Sequence, residues 1–252
     1  MTKEEELFQR HLLDLADSAW QRNIAMFTDF LNLNEQNIYH DILPSLHYVQ
    51  CKAYGGYEYA ERQMIAFIPD ALSLDTCTFP IACLKVSPLK RKFSEELNHR
   101  DYLGSLMNLG IDRSKTGDIV LQEREAYLFC HEKIAEYLSK ELTRIRHTSV
   151  NCQLCSDQDI HYQPKLQELT GTVASVRLDS LLALAFNASR SSLMGLIEGG
   201  KTIVNGRLIT SNGYHPKEND VISVRGYGRF RYCGVLTSTK KGRYLVNIQR
   251  YV

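Results

Sequence analysis

The stretch GLIEGGKTIVNG, residues 195–206, constrains its own fold more tightly than any other part of the chain. Gly199-Gly200 suit the end of a helix, because glycine adopts the left-handed closing conformation without strain. Thr202, Ile203 and Val204 follow, all β-branched and suited to a strand. Asn205-Gly206 is then a strong hairpin-turn signal, with RLI as the returning segment. Yet GLIEGGKT also matches the phosphate-loop pattern G-x-x-x-x-G-K-[ST] at every specified position. That loop works only when a strand delivers the glycines and a helix begins at Lys-Ser/Thr, aiming free N–H groups at the phosphates. Here a helix ends and a strand begins, and no apolar run ending in Asp follows. We read the match as a coincidence of helix-capping glycines.

The surroundings of this segment are legible too. RLDSLLALAFN, from Arg177, is a short amphipathic helix whose apolar face is Leu178, Leu181, Leu182 and Ala185. SRSSLMGLIEGG is a second helix, capped by Ser189 or Asn187. VISVRGYGRFRYCGVL and GRYLVNIQRYV are rich in β formers. Charge is concentrated in the same region: residues 177–252 hold 12 Lys/Arg against 4 Asp/Glu, whereas residues 1–176 hold 18 against 25. A basic third on an acidic body points to a polyanion-binding module; the rival reading is a solvated basic face. RGYGRFRY at 225–232 and TSTKKGR at 237–243 add cations. Strand alternation puts Arg229 and Arg231 on one face and Phe230 and Tyr232 on the other. We read Arg225, Arg229, Arg231, Lys240, Lys241 and Arg243 as contacts to an RNA backbone.

The 252 residues leave room for three small domains of α+β class. Residues 1–75 form a small α+β unit: about the first 45 read as helical, NIAMFTDFLN included, followed by a strand pair around Gly55-Gly56. Residues 76–165 run strand (FPIACLKVSP), helix (FSEELNHRDYLGSLMNLG), strand (GDIVLQER), strand (EAYLFCHE), helix (KIAEYLSKEL) and a closing strand (TRIRHTSVNCQ). That order is the ferredoxin-like, RRM-like plait. Tyr127 and Phe129 on its third strand could stack bases, although aromatics at this period are more often core. Residues 154–169 read as a polar linker, and residues 170–252 form the C-terminal module with extra strands. An acidic start without a signal-peptide core, and no apolar run long enough to span a bilayer, place the chain in the cytoplasm and off the membrane. Seven cysteines fit reduced thiols.

Residues 177–226 resemble an S4 RNA-binding domain. The likeness lies in Arg177-Leu178-Asp179, Ser189-Arg190, Ile197 through Gly200, Val204-Asn205-Gly206 and Asp220-Val221-Ile222. In S4 domains the helix starts and the following β-turn bind structured RNA. By position, the resemblance implicates Arg177, Ser189, Arg190, Ser191, Lys201, Asn205 and Arg207. Such residue types suit phosphate: helix N-termini offer free N–H groups, and Arg forks bind it in a bidentate manner. The rival reading pairs Asp179 with Arg190 and leaves Asn205 serving only its turn. HRDYLGSLMNLGIDRSKTGDI at 99–119, upstream of SVRGYGRFRY and TKKGRY, extends the resemblance to the YlmH family of bacterial S4-domain proteins. This implies an RNA-binding protein of the large ribosomal subunit, touching ribosomal RNA and peptidyl-tRNA. It also implies a part in handling stalled translation complexes, with a looser link to cell division.

Other motifs lead nowhere comparable. His99-Arg100-Asp101 has Leu106 where a kinase loop needs Asn, so we read it as bracing a helix. Cys152-x-x-Cys155 with His147 and His161 lacks a second finger-spaced pair, so no metal is expected. No cofactor is called for. One alternative is an S4-guided RNA-modifying enzyme, a pseudouridine synthase or methyltransferase; the other is a cell-division adaptor. Arg177-Leu178-Asp179 mimics a synthase tripeptide but lacks its Thr-Ser-Gly, and no catalytic set stands out in residues 1–165. We expect a monomer without enzymatic activity.

Overall fold

A computed structural model describes residues 2–72, 77–155, 165–239 and 242–251, with the side chains of Phe93, Arg190 and Ser191 outside the described set. The chain forms two compact units, Met1–Tyr162 and Gln163–Val252.

The first unit opens with α1 (Lys3–Arg22), whose Thr2 and Glu5 form a capping box. Leu12, Ala16 and Ala19 are fully buried, a stripe at helical spacing. Asn23 then turns left-handed, at φ 55°, and ends the helix. The expected continuation of helix through NIAMFTDFLN therefore fails. Met26–Phe27 is instead a strand, β1, paired with Phe67 and Ala66. Thr28 helps hold it extended, because its hydroxyl accepts the Ile65 N–H at 2.9 Å. After α2 (Leu33–Ile42) come β2 (Gln50–Tyr54) and β3 (Met64–Ile68), completing a sheet ordered β1-β3-β2. Every residue of β3, MIAFI, is fully buried. Ile65 and Phe67 pack on α1 and α2, whereas Met64, Ala66 and Ile68 face a different core.

That second core is the plait. Its elements are β4 (Ile81–Pro88), α3 (His99–Asn108), β5 (Thr116–Gln122), β6 (Glu125–His131), α4 (Glu132–Glu141), β7 (Arg144–Ile145) and β8 (Thr148–Cys155), with strands ordered β5-β6-β4-β8-β7 and all antiparallel. The order is that of the ferredoxin-like plait. One detail differs: TRIRHTSVNCQ is a hairpin, not one strand, because Arg146 takes φ 52° and reverses the chain. Asn98 and Asp101 form the capping box of α3, so the His-Arg-Asp motif does brace a helix. On one face of the sheet, Leu84, Leu128 and Cys152 pack against Tyr102, Leu106 and Leu138 of the helices. On the other, Cys83, Tyr127 and Phe129 pack against Phe30, Met64, Ala66 and Ile68 of the N-terminal elements.

The seam between these sheets is specific. Tyr57 stacks on Phe129 with centroids 4.9 Å apart and 15° between planes. A Cβ on Gly56, which has φ +100°, would stand 2.3 Å from the Phe129 ring, so only glycine permits that approach. Arg62 donates to three carbonyls, of Phe30 (2.7 Å), Arg113 (3.1 Å) and Thr116 (3.0 Å). Asp118 accepts the N–H groups of Glu61 and Arg62 and the Tyr57 hydroxyl. Burial, with Arg62 nearby, lowers the Arg113 pKa to about 10.

The second unit begins a few residues earlier than the expected start at residue 170. Residues 166–169, the end of the expected linker, join 170–173 in β9 (Leu166–Val173), which pairs with β14 (Tyr244–Tyr251) along its whole length. LQELTGTV carries β-branched residues at alternate late positions, and a partner strand outweighs its polar composition. Between them lie α5 (Leu178–Phe186), α6 (Arg190–Glu198), β10 (Thr202–Val204), β11 (Arg207–Leu208), β12 (Val221–Val224) and β13 (Gly228–Ser238). The sheet order is β11-β10-β12-β13-β14-β9. Leu178, Leu181, Leu182 and Ala185 of α5 join Leu193 and Ile197 of α6, and these pack against Ile222, Phe230, Tyr232 and Ile248 of the sheet.

Candidate nucleic-acid interface

The glycine-rich segment folds in the order read from its residues. Gly199 closes α6, and Gly200 takes φ +67°. The amides of Gly199, Gly200 and Lys201 donate back to the carbonyls of Gly195 (3.1 Å), Ile197 (3.1 Å) and Leu196 (2.8 Å). Those are the N–H groups a phosphate loop would need, and the helix end consumes them. Lys201 is left with an exposed side chain. Its carbonyl accepts the Arg225 N–H at 2.9 Å, which ties the start of β10 to the turn after β12. Arg225 is exposed as well, and among the described residues neither side chain reaches a carboxylate. Lys201 and Arg225 are thus two cations held side by side.

The remaining candidates are distributed by their partners. Arg177 caps α5 with its backbone, and its guanidinium clasps Asp179 through Nε (3.2 Å) and Nη2 (3.1 Å). Asp179 is buried, so Arg177 rather than Arg190 supplies its described ion pair. Asn205, at φ 48°, donates to Asp220 and accepts the Val221 N–H, both at 2.8 Å. Its side chain braces the turn, and Asn205 and Arg207 are both exposed. Ser189 caps α6 by accepting the Ser192 N–H. Arg177 and Ser189 thus stand at the starts of two successive helices, separated in the chain by the nine-residue α5. Arg190 and Ser191 open α6, their side chains lying outside the described set.

Arg229 and Arg231 occupy the sheet face turned away from α5 and α6, as alternation predicts, with Phe230 and Tyr232 buried on the other face. Arg229 lies over the Tyr251 ring at 4.5 Å. Arg243 donates to the Thr172 carbonyl at 2.9 Å, whereas Lys240 and Lys241 lie outside the described residues. Sequence reasoning missed Arg250, whose guanidinium sits 5.4 Å from the Phe186 ring, and exposed Tyr227, which meets the same ring edge-on. The aromatic-cation alternation of GRFRY, continued into QRY, was the available signal.

Two other candidates resolve on geometry. Cys152 and Cys155 are three residues apart on one strand, so their thiols leave opposite faces of the sheet, Cys152 toward the helices and Cys155 toward the N-terminal elements. They cannot converge on one ion while β8 holds; His161 lies outside the described residues. Tyr127 and Phe129 are core residues, 5% and 0% exposed, so no base reaches them in this fold. Among the described residues no helix is long and apolar enough to cross a membrane.

Three family models cover most of the chain. The YlmH N-terminal domain matches residues 4–72, an RNA-binding domain described in YlmH matches 77–159, and the S4 domain matches 176–222. The chain belongs to the YlmH family. One curated relative, the ribosome-associated protein quality control protein P2 of Bacillus subtilis (strain 168), is 28% identical over 249 residues, spanning 98% of this chain and 96% of that protein. The solved structure of cell division protein ylmH from Streptococcus pneumoniae matches with a TM-score of 0.52 and 20% identity, covering 63% of this chain and 95% of that one. At that identity the likeness is one of fold. The match to the YlmH RNA-binding-domain model thus falls on the plait, and the Lys201–Arg225 pair belongs to the unit that carries the S4 match.

Proposed function

We propose that this YlmH-family chain is a non-catalytic, cytoplasmic, monomeric RNA-binding protein. It engages structured RNA of the large ribosomal subunit, and peptidyl-tRNA held there, in the handling of stalled translation complexes. A link to cell division is the looser part of this reading. The observation that carries it is the exposed Lys201–Arg225 couple, which meets no carboxylate among the described residues, within a segment holding 12 Lys/Arg against 4 Asp/Glu. A surface rich in cations and poor in carboxylates concentrates positive potential, which draws a polyphosphate. Arg190 and Ser191 at the start of α6, the engaged Arg177 and Asn205, and Arg207 extend the contact. Arg229, Arg231 and Arg243 are assigned to backbone phosphates, together with Lys240 and Lys241. The name of the Bacillus subtilis relative supports the ribosomal setting, and that of the Streptococcus pneumoniae protein supports the looser link to cell division.

Co-sedimentation of the full chain with large ribosomal subunits across a salt series tests the proposal. Binding should weaken steeply with salt, because each neutralised phosphate releases counterions. Salt-insensitive binding, or binding unchanged in Lys201→Ala/Arg225→Ala, would remove this surface as the RNA site.

A further inference from the structure

A plait that binds RNA ordinarily stacks bases on the helix-free face of its sheet. In this chain that face is closed: Phe129 is fully buried and stacked under Tyr57, and Tyr127 lies beneath the same cover. If the plait touches RNA, it does so elsewhere. A different surface has the required chemistry. Residues 79–94 contain Lys85, Lys90, Arg91 and Lys92 and no acidic residue, although residues 1–176 as a whole are acidic. Arg91 and Lys92 open the short helical turn after β4, opposite Glu123 and Arg124 at the tip of the β5–β6 hairpin. Together these four residues line an open groove of about 530 Å³.

Three cations, Arg91, Lys92 and Arg124, line this groove against one carboxylate, Glu123, so its charges are not balanced. The Arg124 guanidinium donates to the Arg91 carbonyl and, at 3.3 Å, to the Ser94 hydroxyl. Neither partner carries charge. Glu125 is shared between Lys85 at 2.9 Å and Arg91 at 3.3 Å, so one carboxylate serves two cations. This pairing holds the Glu125 pKa below the usual carboxylate range, first through Lys85. Lys90 and Lys92 are exposed, and no carboxylate meets them among the described residues. The planar Arg124 guanidinium, held by neutral partners, presents its remaining N–H groups in the fork that suits a phosphate. A concave cationic groove accepts a rod-like nucleic-acid backbone better than a flat bilayer.

We propose that the plait carries a second RNA site, a phosphate-backbone groove formed by Arg91, Lys92 and Arg124 and separate from the S4 surface. This rests on RNA being the ligand of the chain, as proposed above. The site reads backbone rather than bases, so its contribution is sequence-tolerant and salt-dependent.

The test uses the full chain and purified large-subunit ribosomal RNA as the probe, with affinity measured over a salt series. Lys92→Ala/Arg124→Ala should lose about tenfold for each side chain, the size expected of charge-assisted bonds to phosphate. Its salt slope should fall by about two. Combined with Lys201→Ala/Arg225→Ala, the losses should multiply, because separate sites act independently. Lys92→Glu, at an exposed position, should weaken binding with an unchanged melting temperature, which guards against misreading a folding defect. If the wild-type chain binds and Lys92→Ala/Arg124→Ala keeps its affinity and slope, the groove is not an RNA site, while the proposed function stands. If the wild-type chain fails to bind ribosomal RNA at all, both ideas fall. Binding to phosphatidylserine vesicles that needs Lys92 and Arg124, with RNA binding indifferent to them, would overturn the inference in favour of a lipid surface.

Discussion

The plait sheet and the C-terminal sheet each carry two helices on one face, and they differ on the other. In the plait, that other face is covered by β1, β2 and β3, and its aromatic residues are core. In the C-terminal sheet the corresponding face carries Arg229, Arg231, Gln249 and Tyr251, all partly exposed. Both faces show period-two aromatics or cations in sequence. What separates them is whether another element of the chain needs that face for its own burial. β3 is apolar at every position, so it cannot rest against one core alone, and the plait supplies its second.

The widest effect separating the two units should come with pH. Cys130 and Cys152 lie in the helix-side core of the plait, and burial pushes each thiol up to about 12. A folded-state pKa above the unfolded value of 9.0 means stability that is whole below pH 9 and drains away as pH rises toward 12. Cys130→Ala/Cys152→Ala should flatten the alkaline limb of a stability–pH curve measured by urea denaturation. An unaltered limb would show that these thiols do not govern it.

Next in size is the closed face itself. Phe129→Ala removes a fully buried ring stacked under Tyr57 and should cost about 3–5 kcal/mol in equilibrium unfolding. RNA affinity of the fraction that remains folded should stay at the wild-type level. A variant that unfolds normally but binds RNA poorly would reopen the sheet face as a base-stacking platform, and the comparison drawn above would break.

How far the sequence spoke depends on how local the cause was. The helix expected from Phe93 begins only at His99, where Asn98 and Asp101 form its capping box, whereas the Ser189 cap was readable, because it acts within one turn. The helix-hairpin order around Gly199-Gly200 was readable for the same reason. β9 was not, since its polar residues become a strand only by pairing with β14, some eighty residues later. Nor was the extended course of Met26–Phe27, which depends on β3 and on the Thr28 hydroxyl. The residue types of the cationic surface were legible one by one. That Asp179 would take Arg177, and that Asp220 would take Asn205, required the fold.

Single cations should have smaller effects than the buried ring. Arg190→Ala and Lys201→Ala should each cost about 1–2 kcal/mol of RNA binding, with no change in melting temperature. Arg22→Ala, exposed at the end of the acidic helix α1, should cost nothing measurable. Co-sedimentation with large subunits at several salt concentrations reads both, and equal losses at Arg22 and Lys201 would mean that binding follows net charge rather than a surface.

The smallest expected effect is none, and it concerns the segment whose pattern promises most. GLIEGGKT in this fold ends α6 and begins β10, and the amides of Gly199, Gly200 and Lys201 already donate to carbonyls of the helix they close. A phosphate entering there would meet the C-terminal end of a helix, whose carbonyls and dipole repel anions. On the proposed reading, the Lys201 side chain meets phosphate away from that loop, beside Arg225. Equilibrium dialysis with ATP or GTP and magnesium should find no saturable binding, in the wild-type chain or in Lys201→Ala, while the same substitution weakens RNA binding. A magnesium-dependent affinity that disappears in Lys201→Ala would show that α6 unwinds to free those amides, and the capping account of the glycine pair would fail with it.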